Sequence, residues 1–343
     1  MADLVFVPEP LLADKVLAAL LAAGADGNSA QAATRAMLHA SRFGIDSHGV
    51  RLTAHYAAMM KSRRINPTPD MKIRRTAAGS AMIDADNALG HAASYRAMEL
   101  ACELAREAGI GAVGVAHSSH FGAAGAYALA GAEAGFVAFA TTNADSLVAL
   151  HDGKGAFHGT NPIAVGAPVQ GEKPWLLDMA TSSIPFNRVS LARTLGLSVP
   201  DGVAADAEGV ITTDAQRVRM LLPLGGSEYG YKGAALAGLV TLFSSVLTGG
   251  TLDHEMLAMF HTKDVTTPRN LGHFCLAISP DHFVGRDAYN AAMANYLHAL
   301  RSFATQPGKR VLAPGDREWE TAAARAKGGI PIDRDTAQFL ELS

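Results

Sequence analysis

Two stretches set histidine beside hydroxyl side chains. FGIDSHGVR carries Ser47 and His48, and HSSHFGAAG carries His117, Ser118, Ser119 and His120. An imidazole with its ordinary pKa of about 6.5 gives and takes a proton near neutrality. A neighbouring hydroxyl can hold the ring by a hydrogen bond, so Ser47 and His48 qualify as an acid–base pair. The alternative is that Ser47 merely caps the helix that follows. His120 stands where a strand-like run ends, and strand ends open toward the loops that bind ligands. His117 alone reads better as a hydrogen-bonded turn residue. The H-x-x-H spacing has neither H-E-x-x-H nor a carboxylate-rich partner set, so metal binding is not expected.

A third set combines polar side chains with tight turns: TTNAD, GTNP, LLDMATSS and GYKGAAL. Asp178 ends a strand, and Thr181 to Ser183 can open a helix whose free amides would bind an anion. Lys232 and Gly233 head a long apolar helix. A lysine there opposes the helix dipole, so it faces an acidic group or a phosphate unless it is solvated. The spacing of Gly109, Gly111 and Gly114 matches G-x-G-x-x-G, but the context does not. That fingerprint needs strand, glycine turn, then helix, with an acidic residue about 20 positions on. Here helical MELACELAREA precedes and strand-like AVGVA follows, while Glu133 falls within a helical stretch. Gly109 is better read as the left-handed residue that ends a helix.

The elements that position these residues mix two periods. Helices are expected over LLADKVLAALLAAG, over SAQAATRAMLHASRF with Asn28 or Ser29 as cap, and over HGVRLTAHYAAMMKS. INPTP then links this helical part to a mixed region. KIRRTAAGSAMIDA suggests two short strands, followed by a helix through AASYRAMELACELAREAG. GAVGVA, FVAFATTN, PIAVGAPV, PWLLDM and CLAISP read as strands. Helices are expected over AGAYALAGAEAG, after Ser182, through 233–248 and over 286–304. The tail is again helical, with Asp333 as a cap. The expected fold is α/β: a helical domain of residues 1–70 joined by 305–343, and a mixed α/β domain of 71–304.

The 343 residues suffice for two domains, and 49% apolar against 18% charged residues favours a large core. A net charge of −3 and a pI near 6.5 offer no basic field for nucleic acid. Cys102 and Cys275 lie far apart, which suits a reducing compartment. MADLVFVPEP lacks a basic n-region and a long apolar h-region, so a cytoplasmic protein is the expectation. The uncharged run GAALAGLVTLFSSVLTGGTL is long enough to span a bilayer. Its glycines and hydroxyls favour a helix buried on most sides instead.

Taken in order, GIDSHGVRL, RINPTP, NALGHAAS, HSSHFGAAGAYA, GTNPIAVGAP, LLDMATSS, YGYKGAALAGLV and VLAPGDRE resemble the malate/L-lactate dehydrogenase family of the second kind. That family lacks the Rossmann fold and includes ureidoglycolate and sulfolactate dehydrogenases, diketogulonate reductases and cyclic imino acid reductases. The resemblance implies NAD or NADP as cofactor, a small 2-hydroxy or 2-oxo acid as substrate, and a homodimer. It implies His48 as proton donor or acceptor with Ser47 beside it, and His120 and Thr160 facing the substrate. His120, Phe121 and Gly122, with Asp178, Met179, Ala180 and Thr181, would hold the cofactor, as would Lys232, Gly233, Pro314 and Gly315. Many relatives carry arginine four positions after the S-H-G histidine. Leu52 stands there in this chain, with Arg51 one step before it as a candidate for the substrate carboxylate. Cyclic imine reductases carry an acidic residue where Arg188 stands, which favours an oxo acid over an imine. His151 and Asp152 replace a proline and glycines common in relatives, as an altered substrate pocket would. Reduction of a cyclic imino acid is the alternative activity, and a cofactor-binding protein without catalysis is the alternative class.

Overall fold

The two ends of the chain meet. Strand β1 (Val5–Val7) pairs antiparallel with β13 (Ile330–Ile332), Val5 opposite Ile332, in the computed structural model, which describes residues 4–260 and 262–342. Around this ribbon lie α1 (Glu9–Ala22), α2 (Gly27–Arg42) and α3 (Thr53–Lys61). Leu12, Val16, Met37, Tyr56 and Met60 share one core with Ile330, Ile332 and Leu340. Asp26, and neither Asn28 nor Ser29, caps α2, because its carboxylate accepts from the Ser29 amide at 2.9 Å. A charged acceptor at that position also complements the helix dipole.

The second core surrounds a seven-stranded mixed sheet. Its strands are β2 (Lys72–Ala77), β3 (Ser80–Ala88), β4 (Ile110–Ser118), β12 (Leu271–Ile278), β5 (Val137–Thr142), β8 (Ile163–Ala167) and β9 (Trp175–Met179), in that spatial order. Only β3 and β4 run parallel, joined by the crossover helix α4 (Gly90–Ala108). Helix α5 (Gly125–Glu133) follows β4. Each strand read from the sequence is present here.

A small sheet was not legible in advance. It orders β10 (Ala204–Ala205), β11 (Met220–Leu221), β6 (Val148–Ala149) and β7 (Ala156–His158), strands too short to show an alternation. Helix α6 (Phe186–Leu195) packs Val189 and Ala192 into the apolar cluster beside it.

The uncharged run forms most of α7 (Gly226–Thr241) and a π-helical turn over Leu242–Val246. It is not buried on most sides. The turn packs on β12, β4 and β5, yet Leu239, Leu242, Val246 and Leu247 are exposed. Among the described residues no helix is long and apolar enough to cross a membrane. The chain closes with α8 (Arg286–Arg301), α9 (Asp316–Gly328) and α10 (Arg334–Phe339), the last capped by Asp333 as expected.

The G-x-G-x-x-G glycines are packing residues. Gly109 has φ +82° and ends α4. A Cβ on Gly111 would lie 2.0 Å from the Ala101 carbonyl oxygen of α4, and one on Gly114 would meet Met82 and Thr248. Gly111→Ala must push α4 off the sheet, so stability should fall by about 3 kcal/mol, the upper part of the range for overpacking. Thermal melting alongside cofactor titration checks this. A weakened cofactor with an unchanged Tm would return Gly111 to the binding site.

Candidate active site

His48 closes a 3-10 turn, Asp46–His48, between α2 and α3. Three contacts fix that turn. Asp46 forms a two-armed ion pair with Arg325 of α9, and Arg325 also donates to the Ser41 carbonyl. The Ser41 hydroxyl accepts the Val50 amide at 3.0 Å, so closely that a Cβ on Gly49 would lie 2.1 Å from it. Both ends of the chain thus hold the histidine. Ser47 Oγ lies 2.7 Å from His48 Nδ1. No side chain caps α3, so the reading of Ser47 as a helix cap falls. Burial pushes the His48 imidazole down to about 4, which makes the neutral ring the resting form.

Strand β4 brings the second histidine. The His48 and His120 ring centroids are 5.5 Å apart, and Tyr56 Oη lies 2.7 Å from His120 Nδ1. Burial and the neighbouring His48, His91 and Arg269 hold His120 well below the usual histidine range. His117 turns away with φ +51° and places Nδ1 3.0 Å from Asp84. It is hydrogen-bonded as expected, but within an irregular end of β4 rather than in a turn, and the two histidines of H-x-x-H do not converge. Ser118 contacts His273 Nε2 at 2.8 Å, and Ser119 donates to the Ala88 carbonyl while accepting the Gly90 amide.

The loop beyond His120 is built around backbone. The Phe121 ring stacks on His273 within the core, so only its main chain faces the loop. Gly122 has φ +76°, a conformation that favours glycine. Among the described residues nothing accepts a hydrogen bond from the amides of Gly122, Ala123 and Ala124, although all three residues are buried. These three amides are free to donate to a group supplied from outside the chain. Asp178, at the end of β9, accepts the Gly125 amide at 2.9 Å, and burial raises its carboxyl to about 6.

Other expected residues extend this region. The Thr160 carbonyl accepts the Thr181 amide at 2.9 Å, which ties the GTNP turn to the β9 end beside Met179 and Ala180. That bond corrects one expectation. The Thr181 and Ser183 amides are already taken, and the next helix begins only at Phe186, so no free helix N-terminus opens there. The Pro314 carbonyl accepts the Leu176 amide, and Gly315, with φ +94°, rests on Leu176. Gly233 packs so closely on the Leu224 backbone that a Cβ would lie 2.3 Å from its nitrogen. Lys232 lies within α7 rather than at its head. Its ammonium sits over the Tyr229 and Tyr231 rings at 5.3 and 5.9 Å. Arg51 and Arg188 are both exposed, and Arg51 bears on Asp333 rather than on the histidines. A groove of about 860 Å³ between α2, α4 and β2 contains neither site histidine.

Sequence reasoning missed Tyr56, His91 and Arg269. Tyr56 lies eight positions after His48 on an apolar helix face, where a tyrosine reads as core. His91 is fully buried against Tyr56, ring centroids 4.7 Å apart, with neither nitrogen partnered. Arg269 precedes an apolar strand and carries no sequence signal of a site.

A mixed sheet without a glycine-turn dinucleotide site, joined to a neutral histidine pair and open buried amides, defines a class of oxidoreductase distinct from Rossmann enzymes. The chain belongs to the malate/L-lactate dehydrogenase family, whose pattern it matches over residues 8–341. It is 36% identical to malate dehydrogenase of Pyrococcus abyssi, the match covering 95% of this chain and 90% of that one. It is equally 36% identical to (2R)-3-sulfolactate dehydrogenase (NADP(+)) of Chromohalobacter salexigens, over 95% and 93%. Among solved structures, delta1-piperideine-2-carboxylate reductase from Pseudomonas syringae pvar. tomato superposes with a TM-score of 0.84. The identity is 28%, over 99% of this chain and 100% of that one.

Proposed function

We propose that this protein transfers a hydride between NAD or NADP and C2 of a small 2-hydroxy or 2-oxo acid. The observation that carries the reading is the facing pair His48 and His120, both held neutral, beside the unpartnered amides of Gly122, Ala123 and Ala124. The bound nicotinamide supplies the redox chemistry. The protein's own residues align the reactants and handle the proton.

On oxidation, His48 takes the hydroxyl proton at Nε2, because Ser47 engages Nδ1. On reduction, the same nitrogen returns it. Tyr56 orients His120, which faces the substrate with Thr160. The amides of 122–124 and a left-handed glycine suit the charged part of the cofactor, with Asp178 fixing the loop through the Gly125 amide. Met179, Ala180, Thr181, Lys232, Gly233, Pro314 and Gly315 complete that surface in this reading. Residues 1–70 with 305–343 form the helical domain, and 71–304 the cofactor-binding one. The exposed apolar side chains of Leu239, Leu242, Val246 and Leu247 support a homodimer. Two free, buried cysteines suit the cytoplasm.

Turnover with NADH and NADPH over a panel of 2-oxo acids and cyclic imino acids tests the reading. Reduction of an oxo acid at the higher kcat/KM is expected, since Arg188 replaces the acidic residue of imine reductases. A clear preference for piperideine carboxylate would transfer the chain to the imine reductases. Binding without turnover on any substrate would leave a cofactor-binding protein.

A further inference from the structure

A 2-hydroxy acid brings a carboxylate that the histidine pair does not match. Leu52 is apolar and packs with Tyr56 and Met259, while Arg51 and Arg188 are exposed. Arg269 is placed differently. Its side chain is only 5% exposed, Nε donates to the Leu257 carbonyl at 2.7 Å, and Nη2 donates to Asp145 at 2.6 Å. Asp145 also accepts the Met259 amide at 3.0 Å, so the guanidinium plane is fixed from two sides. Nη1 has no partner among the described residues. Arg64, itself buried, lies close enough to repel it, and Arg64 Nε is also unpartnered. Asp264 pairs with Arg64 and Asp145 with Arg269, which leaves Arg64 Nε buried without an acceptor and Nη1 of Arg269 open. That open arm can receive one more acceptor, in the fork geometry that suits a carboxylate. The place is right as well, since the Arg269 charge disfavours a proton on both His120 and His55.

We propose that Arg269 is the carboxylate-binding residue of this chain, its open Nη1 arm receiving the acid group of the 2-oxo acid while Asp145 fixes the guanidinium plane. This rests on the dehydrogenase reading above. Arg269 then supplies from the start of β12 the cation that position 52 lacks.

The test uses full-length Arg269→Lys and Arg269→Met, with folding checked by circular dichroism and Tm. Affinity for NADH should be unchanged in both. The Kd of oxamate for the enzyme–NADH complex, and KM for the preferred 2-oxo acid, should rise roughly 10- to 100-fold, as for a lost charge-assisted hydrogen bond. The pH profile supplies a readout that a structural role would not move. His120 is faced by His48, by His55 and Tyr56 of α3, by His91 of α4 and by Arg269. Removing the Arg269 charge lets His120 keep its proton to higher pH, so the His120 contribution to the acidic limb, distinct from that of His48, should shift upward in Arg269→Met and stay in Arg269→Lys. Unchanged oxamate affinity and KM in the folded variants overturn the proposal. Should neither variant fold, a crystal structure of the wild type with NADH and oxamate decides. A carboxylate on Arg269 supports the assignment, and a carboxylate elsewhere overturns it. A wild type that binds no oxamate and reduces no 2-oxo acid sinks the dehydrogenase reading itself. One that reduces 2-oxo acids with a KM indifferent to Arg269 sinks only the clamp.

Discussion

Asparagine in place of His48 should lower kcat by about 10²–10⁴-fold, the range for a lost general acid or base, while the nicotinamide cofactor still binds. The substitution isolates the proton. Asparagine retains a polar group of similar reach, and Ser47 Oγ, now 2.7 Å from Nδ1, keeps a partner. The cofactor surface proposed around the amides of 122–124 and Asp178 is untouched. Burial holds the His48 ring down to about 4, so at pH 7 the free enzyme carries it neutral, the form that accepts a proton. Oxidative kcat/KM limited by this group should therefore be flat above about pH 5 and fall as the ring protonates below that. The variant should lose that limb together with its turnover. Stopped-flow and steady-state rates in both directions measure this. A near-normal kcat with the same pH profile would remove His48 from the chemistry and leave His120, 5.5 Å away between ring centroids, as the proton carrier.

The histidine pair was legible because its signals are local. Ser47 and His48 are adjacent in sequence, and His120 ends an apolar strand, so type and spacing alone locate them. Most strands of the large sheet were legible for a similar reason, each having five or more residues of apolar pattern, whereas the edge strand β2, KIRRTA, is exposed throughout. What could not be read depends on contacts between distant segments. Asp145 and Arg269 meet across 124 positions, and neither sits in a pattern that anticipates the other. Thr181 looked like the start of an anion-binding helix until the GTNP turn, about 20 residues earlier, took its amide. The α7 run misled because a continuous apolar stretch has no polar face to reveal which side meets the sheet. Its outward leucines and valine are visible only once the sheet is in place. Arg51 is the opposite case. Proximity in sequence to His48 suggested a shared site, and the 3-10 turn over Val50–Leu52 leaves its side chain exposed.

The fold should be markedly sensitive to mild acid. His39, His91 and His273 are buried, and burial holds each down to about 3, against an ordinary value near 6.5 in the unfolded chain. Between those limits the unfolded chain binds one proton more per histidine than the folded one, so stability falls as pH drops below about 6.5. Three such groups together cost about 4 kcal/mol per pH unit once the unfolded chain is fully protonated. Asp178 works the other way. Burial raises its carboxyl to about 6, so the folded protein takes up a proton that the unfolded chain does not until near 4. That returns the share of one histidine. These four groups alone predict a loss of about 4–5 kcal/mol between pH 7.5 and pH 5, a large part of the 5–15 kcal/mol usual for a folded protein, and His48, His55 and His120, also held below the ordinary histidine range, add to it in the same direction. Urea denaturation at the two pH values measures it. His39 offers the cleanest control, since it lies edge-on to Phe43 in the helical layer, away from the histidine pair, with Nε2 unpartnered. His39→Leu keeps an apolar side chain of similar size there and removes one titrating group, so its pH-dependent loss should be smaller by about 2 kcal/mol over the same interval. A wild type equally stable at both pH values would mean that the buried histidines gain their protons within the intact fold.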